Sequence, residues 1–255
     1  MDYYNAYDAS AESNYMSQNF ANTYFDTYNS QKIGFIREDI ESKFLAHKVN
    51  DRERAMVVTS LIYAMDRISH TCGHYDSFIR DGKYEGELIL RMPDNDYELN
   101  VNNHVYCADS NMIASDELVD VAYLDPPYNS RQYCDAYHLL ENVARWEKPQ
   151  VFGIAKKMDR TQMKSNYCKS VEAAKALRDL VLKLNSRYIL LSYNNNGKKL
   201  QCRSNAKMTD EEIFEILSLR GDVKVFTMGY RGFDAGKSEF NKDNQERIFL
   251  CSVNK

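Results

Sequence analysis

The sequence predicts an α/β fold, and three observations carry that prediction. From Glu98 onward, apolar runs of strand length alternate with segments of helical period. The run Val119 to Leu124 reads as a buried parallel strand, and Asp125-Pro-Pro-Tyr128 stops it, because two prolines cannot continue a central ladder. Ahead of both, two amphipathic segments between Lys32 and Ser69 predict a packed helical pair. A chain of 255 residues holds one large domain or a domain with a sizeable insertion.

Taken in order, residues 1–30 are rich in Tyr, Asn, Ser and Ala without helical period or alternation, and read as an irregular arm. Ile33, Phe35 or Ile36, Ile40 and Phe44 recur at helical spacing among charged residues. Asp51 to Ser69 repeats the pattern, with Asn50 and Asp51 as N-cap candidates. Gly73 to Asp96 reads as a turn, the apolar stretch Leu88 to Leu90, and another turn. Val105 to Cys107 predicts a strand ending at Asp109, followed by a short helix from Ser110 to Ser115. After the strand 119–124 come a helix from Tyr133 to Arg145, a polar loop with Lys148, Lys156, Lys157, Arg160 and Lys164, and a helix from Ser170 to Asn185. A strand at Tyr188 to Ser192, a helix at Thr209 to Leu219 and a terminal strand pair, Val223 to Met228 and Ile248 to Val253, complete the pattern.

Composition narrows the function classes. Hydrophobic residues at 44% and charged residues at 27% are ordinary globular figures. No apolar run approaches the roughly 20 residues needed to cross a bilayer, so no membrane partner is expected. Six cysteines show neither Cys-x-x-Cys nor zinc-site spacing; the expectation is reduced thiols, no metal, and a cytoplasmic protein without a secretory signal. The net charge of −4 arises in the first thirty residues, where Asp2, Asp8, Glu12 and Asp26 meet no base. The remainder is neutral, which permits local basic patches without demanding a polyanionic partner.

Chemistry concentrates in Asp125, Pro126, Pro127 and Tyr128. An acid at the carboxyl end of a buried strand stands where open α/β sheets place their ligands. Four such residues in a row arise by chance in roughly one chain of this length per thousand. The pattern suits a planar exocyclic amine such as adenine N6, whose lone pair is delocalised into the ring. Acceptors that bind its two hydrogens favour a more tetrahedral, nucleophilic nitrogen. The carboxylate of Asp125 and the carbonyl of Pro126 supply two, since proline offers an acceptor without a competing N–H. The rigid backbone holds that carbonyl in place. Tyr128 offers a flat face for an extruded base, and a methylated, transiently cationic amine would be stabilised by Asp125.

Asp125-Pro-Pro-Tyr-Asn-Ser-Arg-Gln-Tyr133, followed by Tyr137-His-Leu-Leu-Glu-Asn-Val-Ala144, resembles the catalytic segment of S-adenosylmethionine-dependent DNA adenine-N6 methyltransferases of bacterial restriction-modification systems. Asn19 to Ile40, Thr59 to Arg80, Tyr106 to Asp109 and Ser192 to Asn195 resemble further segments of that family in the same order. The resemblance implies a Rossmann-like methyltransferase sheet, with residues 31–97 as an N-terminal helical insertion and 98–255 as the catalytic domain. The helical pair then serves either target recognition or plain scaffolding. It implies S-adenosyl-L-methionine as methyl donor, with Asp109 beside its adenosine, although an Asp after a strand is as often a helix N-cap. Double-stranded DNA is the implied partner, met by Asn129, Arg131, Gln132 and Tyr133 after the motif. The loops bearing Lys156, Lys157, Arg160 and Lys164, and Lys198, Lys199 and Arg203, are candidates to follow its backbone. His138, in an apolar helical setting, reads as structural.

Two hallmarks of that family have no counterpart. The ten glycines never form Gly-x-Gly, so the Gly-rich turn that approaches the cofactor is missing, and so is the acid that binds its ribose. The expected sheet therefore lacks its first two strands, which belong between the strand ending at Asp109 and the one ending at Asp125. Exposed ladder groups would cost roughly 1–3 kcal/mol each. The expectation is a truncated or mis-started chain, or one half of a split enzyme whose separate partner polypeptide carries the Gly-rich motif. Other readings keep the motif for cytosine-N4, RNA-adenine or protein-glutamine methylation, or leave a non-catalytic DNA-binding remnant.

Overall fold

The computed structural model describes residues 1–81, 83–94, 101–194, 206–229 and 245–254. In chain order its helices and strands are α1 (Asp2–Ala6), α2 (Tyr15–Phe20), α3 (Thr27–Leu45), α4 (Asp51–Ile68), α5 (Ser110–Ile113), β1 (Leu118–Leu124), α6 (Tyr133–Ala136), α7 (His138–Arg145), α8 (Ala173–Lys183), β2 (Asn185–Asn194), α9 (Asp210–Ser218), β3 (Gly221–Gly229) and β4 (Gln245–Val253). They fall into two units, Met1–Asn103 with Tyr133–Met163, and His104–Gln132 with Lys164–Lys255. Residues 133–163, expected to belong to the catalytic part, instead pack with the N-terminal helices.

The first unit is helical. Capping sets the start of α4: the Asn50 side chain accepts from the Glu53 N–H, and the Glu53 carboxylate accepts from the Asn50 N–H. Residues 1–30, expected to be irregular, contribute α1 and α2 and bury Tyr4, Met16, Phe20, Tyr24 and Phe25 in the core. Helices this short are marginal alone and persist here because tertiary burial holds them. The arm's asparagines have a specific task. Asn5 accepts from the Leu90 N–H at 2.8 Å and donates to the Leu90 carbonyl at 2.9 Å. Asn29 accepts from the Leu88 N–H at 2.9 Å and donates to the Gly86 carbonyl at 3.1 Å. Among the described residues Leu88 and Leu90 are thus buried without a partner strand, side-chain amides meeting the Leu88 N–H and both backbone groups of Leu90.

Two buried cations fix α3. The guanidinium of Arg37, fully buried, donates to the Val143 carbonyl at 2.8 Å and to Glu41 at 2.6 Å, and lies 5.3 Å from the Trp146 ring centroid. It thereby satisfies a carbonyl left open in the last turn of α7. Lys32 donates to the Asn5 carbonyl and to Glu87. Gly34 faces Asn14, the cap of α2, so closely that a Cβ would stand 1.9 Å from its side-chain oxygen. The expected single helix 133–145 is interrupted at Tyr137 into α6 and α7. His138, read as structural, is fully buried and donates from Nε2 to the Tyr75 carbonyl at 2.8 Å. The Tyr24 hydroxyl lies 2.7 Å from that same carbonyl and 2.8 Å from Ala155 O.

The second unit is a four-stranded sheet ordered β1-β2-β4-β3. β1 and β2 are parallel, with Leu118 opposite Asn185 through Leu124 opposite Leu191. β4 runs antiparallel to both β2 and β3. Helices α8 and α9 cover one face, where Leu177, Val181, Ile213 and Leu217 form a core with Ile189, Leu191, Tyr193, Phe249 and Cys251. Two expectations need correction. The segment Val105 to Cys107 forms no strand and is exposed. β1 is parallel as expected but not buried: along it Ala122 alone is buried, and Tyr123 is 59% exposed. The reason is that, among the described residues, β1 is paired on one edge only and covered on one face only.

Among the described residues no helix is long and apolar enough to cross a membrane, and no group of three His, Cys, Asp or Glu side chains is placed to hold a metal. No disulfide joins the described cysteines.

Two outcomes follow from the first unit. Gly34→Ala should destabilise the chain by about 1–3 kcal/mol through overpacking against Asn14, despite alanine's helix preference of about 1 kcal/mol; an unchanged or raised urea midpoint would contradict the close approach. Burial lowers the His138 pKa from 6.5 to about 4. The unfolded chain therefore takes up a proton below about pH 6.5 that the folded chain refuses, and stability falls as pH drops from about 6.5 towards 4, by about 3 kcal/mol at the end. His138→Gln should flatten that slope in urea titrations run across this range.

Candidate active site

β1 delivers the motif to the carboxyl end of the parallel pair. Leu124 lies opposite Leu191, so the chain leaves β1 at the same end of the sheet as Tyr193 and Asn194 of β2. Asp125 is exposed there, and Pro126, Pro127 and Tyr128 are half-buried. The acid therefore points to solvent at the sheet's tip, and the prolines end the ladder as their chemistry requires.

A tyrosine that sequence reasoning did not single out holds the motif's far end. The Tyr193 ring, buried in the core of the second unit, meets Tyr128 nearly at right angles with centroids 6.3 Å apart. Its hydroxyl accepts from the backbone N–H groups of Lys207 and Met208, each at 3.1 Å, and lies 3.5 Å from the Tyr128 carbonyl. The Lys207 N–H also lies 2.9 Å from that carbonyl. Burial raises the Tyr193 pKa, so the hydroxyl remains protonated and available as a donor.

The loop after the motif is clamped from one side. Asn129 accepts from the Arg131 N–H at 2.8 Å, a turn closed by its own side chain. Gln132 donates to the Ser165 carbonyl at 3.0 Å and accepts from the Ser165 N–H at 2.8 Å. The Cys168 thiol lies 3.3 Å from the Arg131 carbonyl. Asn129 and Gln132, expected to meet DNA, thus have their side-chain oxygens engaged in shaping the loop. The Arg131 side chain is exposed. Tyr133 opens α6 in the first unit, where its ring stacks on Tyr137 at 6.2 Å with an interplanar angle of 27°.

Asp109 is found as the N-cap of α5, its carboxylate accepting from the Asn111 N–H at 2.9 Å. Next to it, Tyr167 lies 3.0 Å from the Asn111 side-chain oxygen and 3.3 Å from the Ala176 carbonyl. Burial, reinforced by the negative charges of Asp109 and Asp179, raises the Tyr167 pKa. Of the basic loops, Lys157 pairs with Asp76, and Arg160 pairs with Asp135 at 2.7 Å. Lys198, Lys199 and Arg203 lie outside the described residues. A concavity of about 400 Å³ lies between α9 and strands β3 and β4. It is lined by Asp210, Glu211 and Glu215 around Phe214, Val225 and Phe249, a lining whose carboxylates oppose a phosphate ligand.

What this arrangement presents is a carboxylate exposed at a strand tip, followed by a half-buried proline pair. It offers fewer means of holding a methyl donor: the described residues build no Gly-rich cradle, and the segment before Asp109 adds no strand.

Comparison with known proteins identifies the family. The chain is 34% identical to the modification methylase StsI of Streptococcus sanguinis over 96% of its own length and 35% of that protein's. It is 32% identical to the type II methyltransferase M.FokI of Planomicrobium okeanokoites over 89% of its length and 34% of that protein's. With the type II methyltransferase M.NlaIII of Neisseria lactamica it shares 29% identity over 85% of its length and 62% of that protein's. The chain therefore spans about a third of the length of the first two relatives. No solved structure matches it. Residues 2–201 match the model of one family over most of the chain, and on that match the chain belongs to the D12 class N6 adenine-specific DNA methyltransferases.

Proposed function

We propose that this chain carries the adenine-binding side of an S-adenosylmethionine-dependent DNA adenine-N6 methyltransferase, acting on double-stranded DNA in the cytoplasm as part of a restriction-modification system. One observation carries the reading: Asp125 is exposed at the carboxyl tip of β1, with Pro126 and Tyr128 following it in a constrained backbone. In this role the Asp125 carboxylate and the Pro126 carbonyl accept the two N6 hydrogens of an extruded adenine. Tyr128, braced by Tyr193, stacks on the base, and Asp125 stabilises positive charge as it develops on the amine. S-adenosylmethionine supplies an electrophilic methyl group when bound.

The described residues do not by themselves fit that cofactor. Asp109 is assigned to its adenosine by family resemblance, and in this chain it caps α5. The same deficit supports the reading that the methyltransferase sheet lacks its first two strands: among the described residues β1 has an edge without a neighbour, and residues 104–108 form no strand. The helical part around α3 and α4 is then the family's insertion, and Asn129, Arg131, Gln132 and Tyr133 form the DNA-facing loop. The Gly-rich motif comes either from a longer form of the chain or from a separate polypeptide. A second reading, a non-catalytic DNA-binding remnant, draws on the same deficit. Isothermal titration with S-adenosylmethionine separates the two: a chain that takes up no cofactor at millimolar concentration, even with the Gly-rich part supplied, supports the remnant.

With the Gly-rich part supplied, Asp125→Ala should lower N6-methyladenine formation by at least about 100- to 1,000-fold while leaving DNA retention in gel shifts unchanged; full activity would refute the assigned role. Tyr128→Ala should weaken use of the substrate by about 1–3 kcal/mol, or roughly 5- to 150-fold. Tyr128→Phe should keep most of the stacking, and equal losses in both variants would argue against the ring's role.

A further inference from the structure

In the first unit a tight turn at residues 152–157 holds apolar side chains out into water. The Phe152 N–H donates to the Lys157 carbonyl at 2.8 Å and the Lys157 N–H to the Phe152 carbonyl at 3.0 Å, an isolated antiparallel bridge that closes a loop of Gly153, Ile154, Ala155 and Lys156. Gly153 and Lys156 lie in the left-handed region, at φ 69° and 49°. Glycine reaches that region freely, whereas lysine is held there at a conformational cost, and residues held in that way cluster at ligand-binding sites. A buried group pins the turn: the Tyr24 hydroxyl lies 2.8 Å from the Ala155 carbonyl. With the Tyr75 carbonyl supplied by His138 Nε2, the single Tyr24 proton is available to Ala155. Lys157 pairs with Asp76, and the next residue, Met158, is buried. Against this fixed backbone Phe152 is 57% exposed and Ile154 69%.

We propose that this turn is a wedge for duplex DNA: Phe152 and Ile154 enter a groove and part a base step, while Lys156 meets the adjoining phosphate. Size, charge and rigidity select this occupant. One aromatic side chain covers roughly 150–250 Å², far short of the about 800 Å² that each partner gives to a stable protein–protein interface. A Phe or Ile side chain is, however, the size of wedge that unstacks a base step. Residues 149–158 contain Lys156 and Lys157 and no acid. Asp76 neutralises Lys157, and Lys156 enters no ion pair among the described residues, so the cation beside the two apolar side chains is left for a phosphate. A wedge that had to be ordered on binding would lose affinity to that ordering, and closure of the turn on Tyr24 orders it beforehand. The inference deepens the proposed function and rests on its reading of double-stranded DNA as the substrate.

The test is fluorescence anisotropy of the full chain with two labelled duplexes of one mixed sequence, the first intact and the second carrying a central abasic site that is already unstacked. The chain should bind the abasic duplex about tenfold more tightly, since a step already parted spares the wedge its unstacking cost. Phe152→Ala combined with Ile154→Ala should remove that preference with an unchanged far-ultraviolet circular dichroism spectrum, because both side chains are exposed. Lys156→Gln should keep the preference and lower the slope of log affinity against log salt by about 0.9, the share of one phosphate. Equal binding of the two duplexes by the unsubstituted chain, or a preference that survives the double substitution, would overturn the wedge and leave the functional reading in place. Self-association that the double substitution abolishes without touching DNA affinity would assign the turn to a protein contact and overturn the wedge as well. A chain that retains neither duplex would overturn the wedge and the functional reading together. A preference lost as described, in a chain that methylates no adenine even with the Gly-rich part supplied, would leave the wedge standing and defeat the functional reading instead.

Discussion

Parallel pairing of β1 with β2 is the constraint on which the site depends. It sets Leu124 beside Leu191, brings the two strands to a common carboxyl end, and so presents Asp125 at the sheet's tip. A one-residue slip would exchange the faces of β1, moving Ala122 and Leu124 off the core side. The prolines then fix where the ladder stops, and Tyr193 fixes where the loop goes, by contacts to residues 128, 207 and 208. Two hydrophobic strands and one buried hydroxyl thus position a carboxylate that itself stays in water.

The helical unit solves a different problem, the satisfaction of buried backbone without a sheet. Side-chain amides of Asn5 and Asn29 stand in for a neighbouring strand along residues 86–90, and Arg37 closes the end of α7. Each replaces water on a buried polar group, which would otherwise cost about 1–3 kcal/mol. Single polar side chains here therefore matter more to stability than their number suggests.

Legibility in the sequence followed the range of the interaction concerned. Helix α4 was readable to within a residue because its start is a local capping box and its face a local period. Helix α9 was equally plain for local reasons, whereas β3 and β4 begin two and three residues earlier than their apolar runs suggest. The arm at residues 1–30 was misread because its helices are held by distant partners, and asparagines that look like loop formers in composition act here as backbone surrogates. The strand expected at Val105 to Cys107 fails for the converse reason: local propensity is present, but no neighbouring strand among the described residues pairs with it. In the site, the role of Tyr193 could not be seen, since nothing local announces that its hydroxyl will meet N–H groups fourteen and fifteen residues downstream.

The residues alone determined the family and the strand–Pro-Pro break, because these are properties of adjacent side chains and backbone. Tertiary structure alone decided that Asp125 faces solvent, that Gln132 and Asn129 are occupied in shaping their own loop, and that Val121, Tyr123 and Tyr188 of the sheet are exposed. Those outcomes depend on which elements are present to pack and pair, and burial is a property of neighbours in space that no stretch of sequence carries by itself.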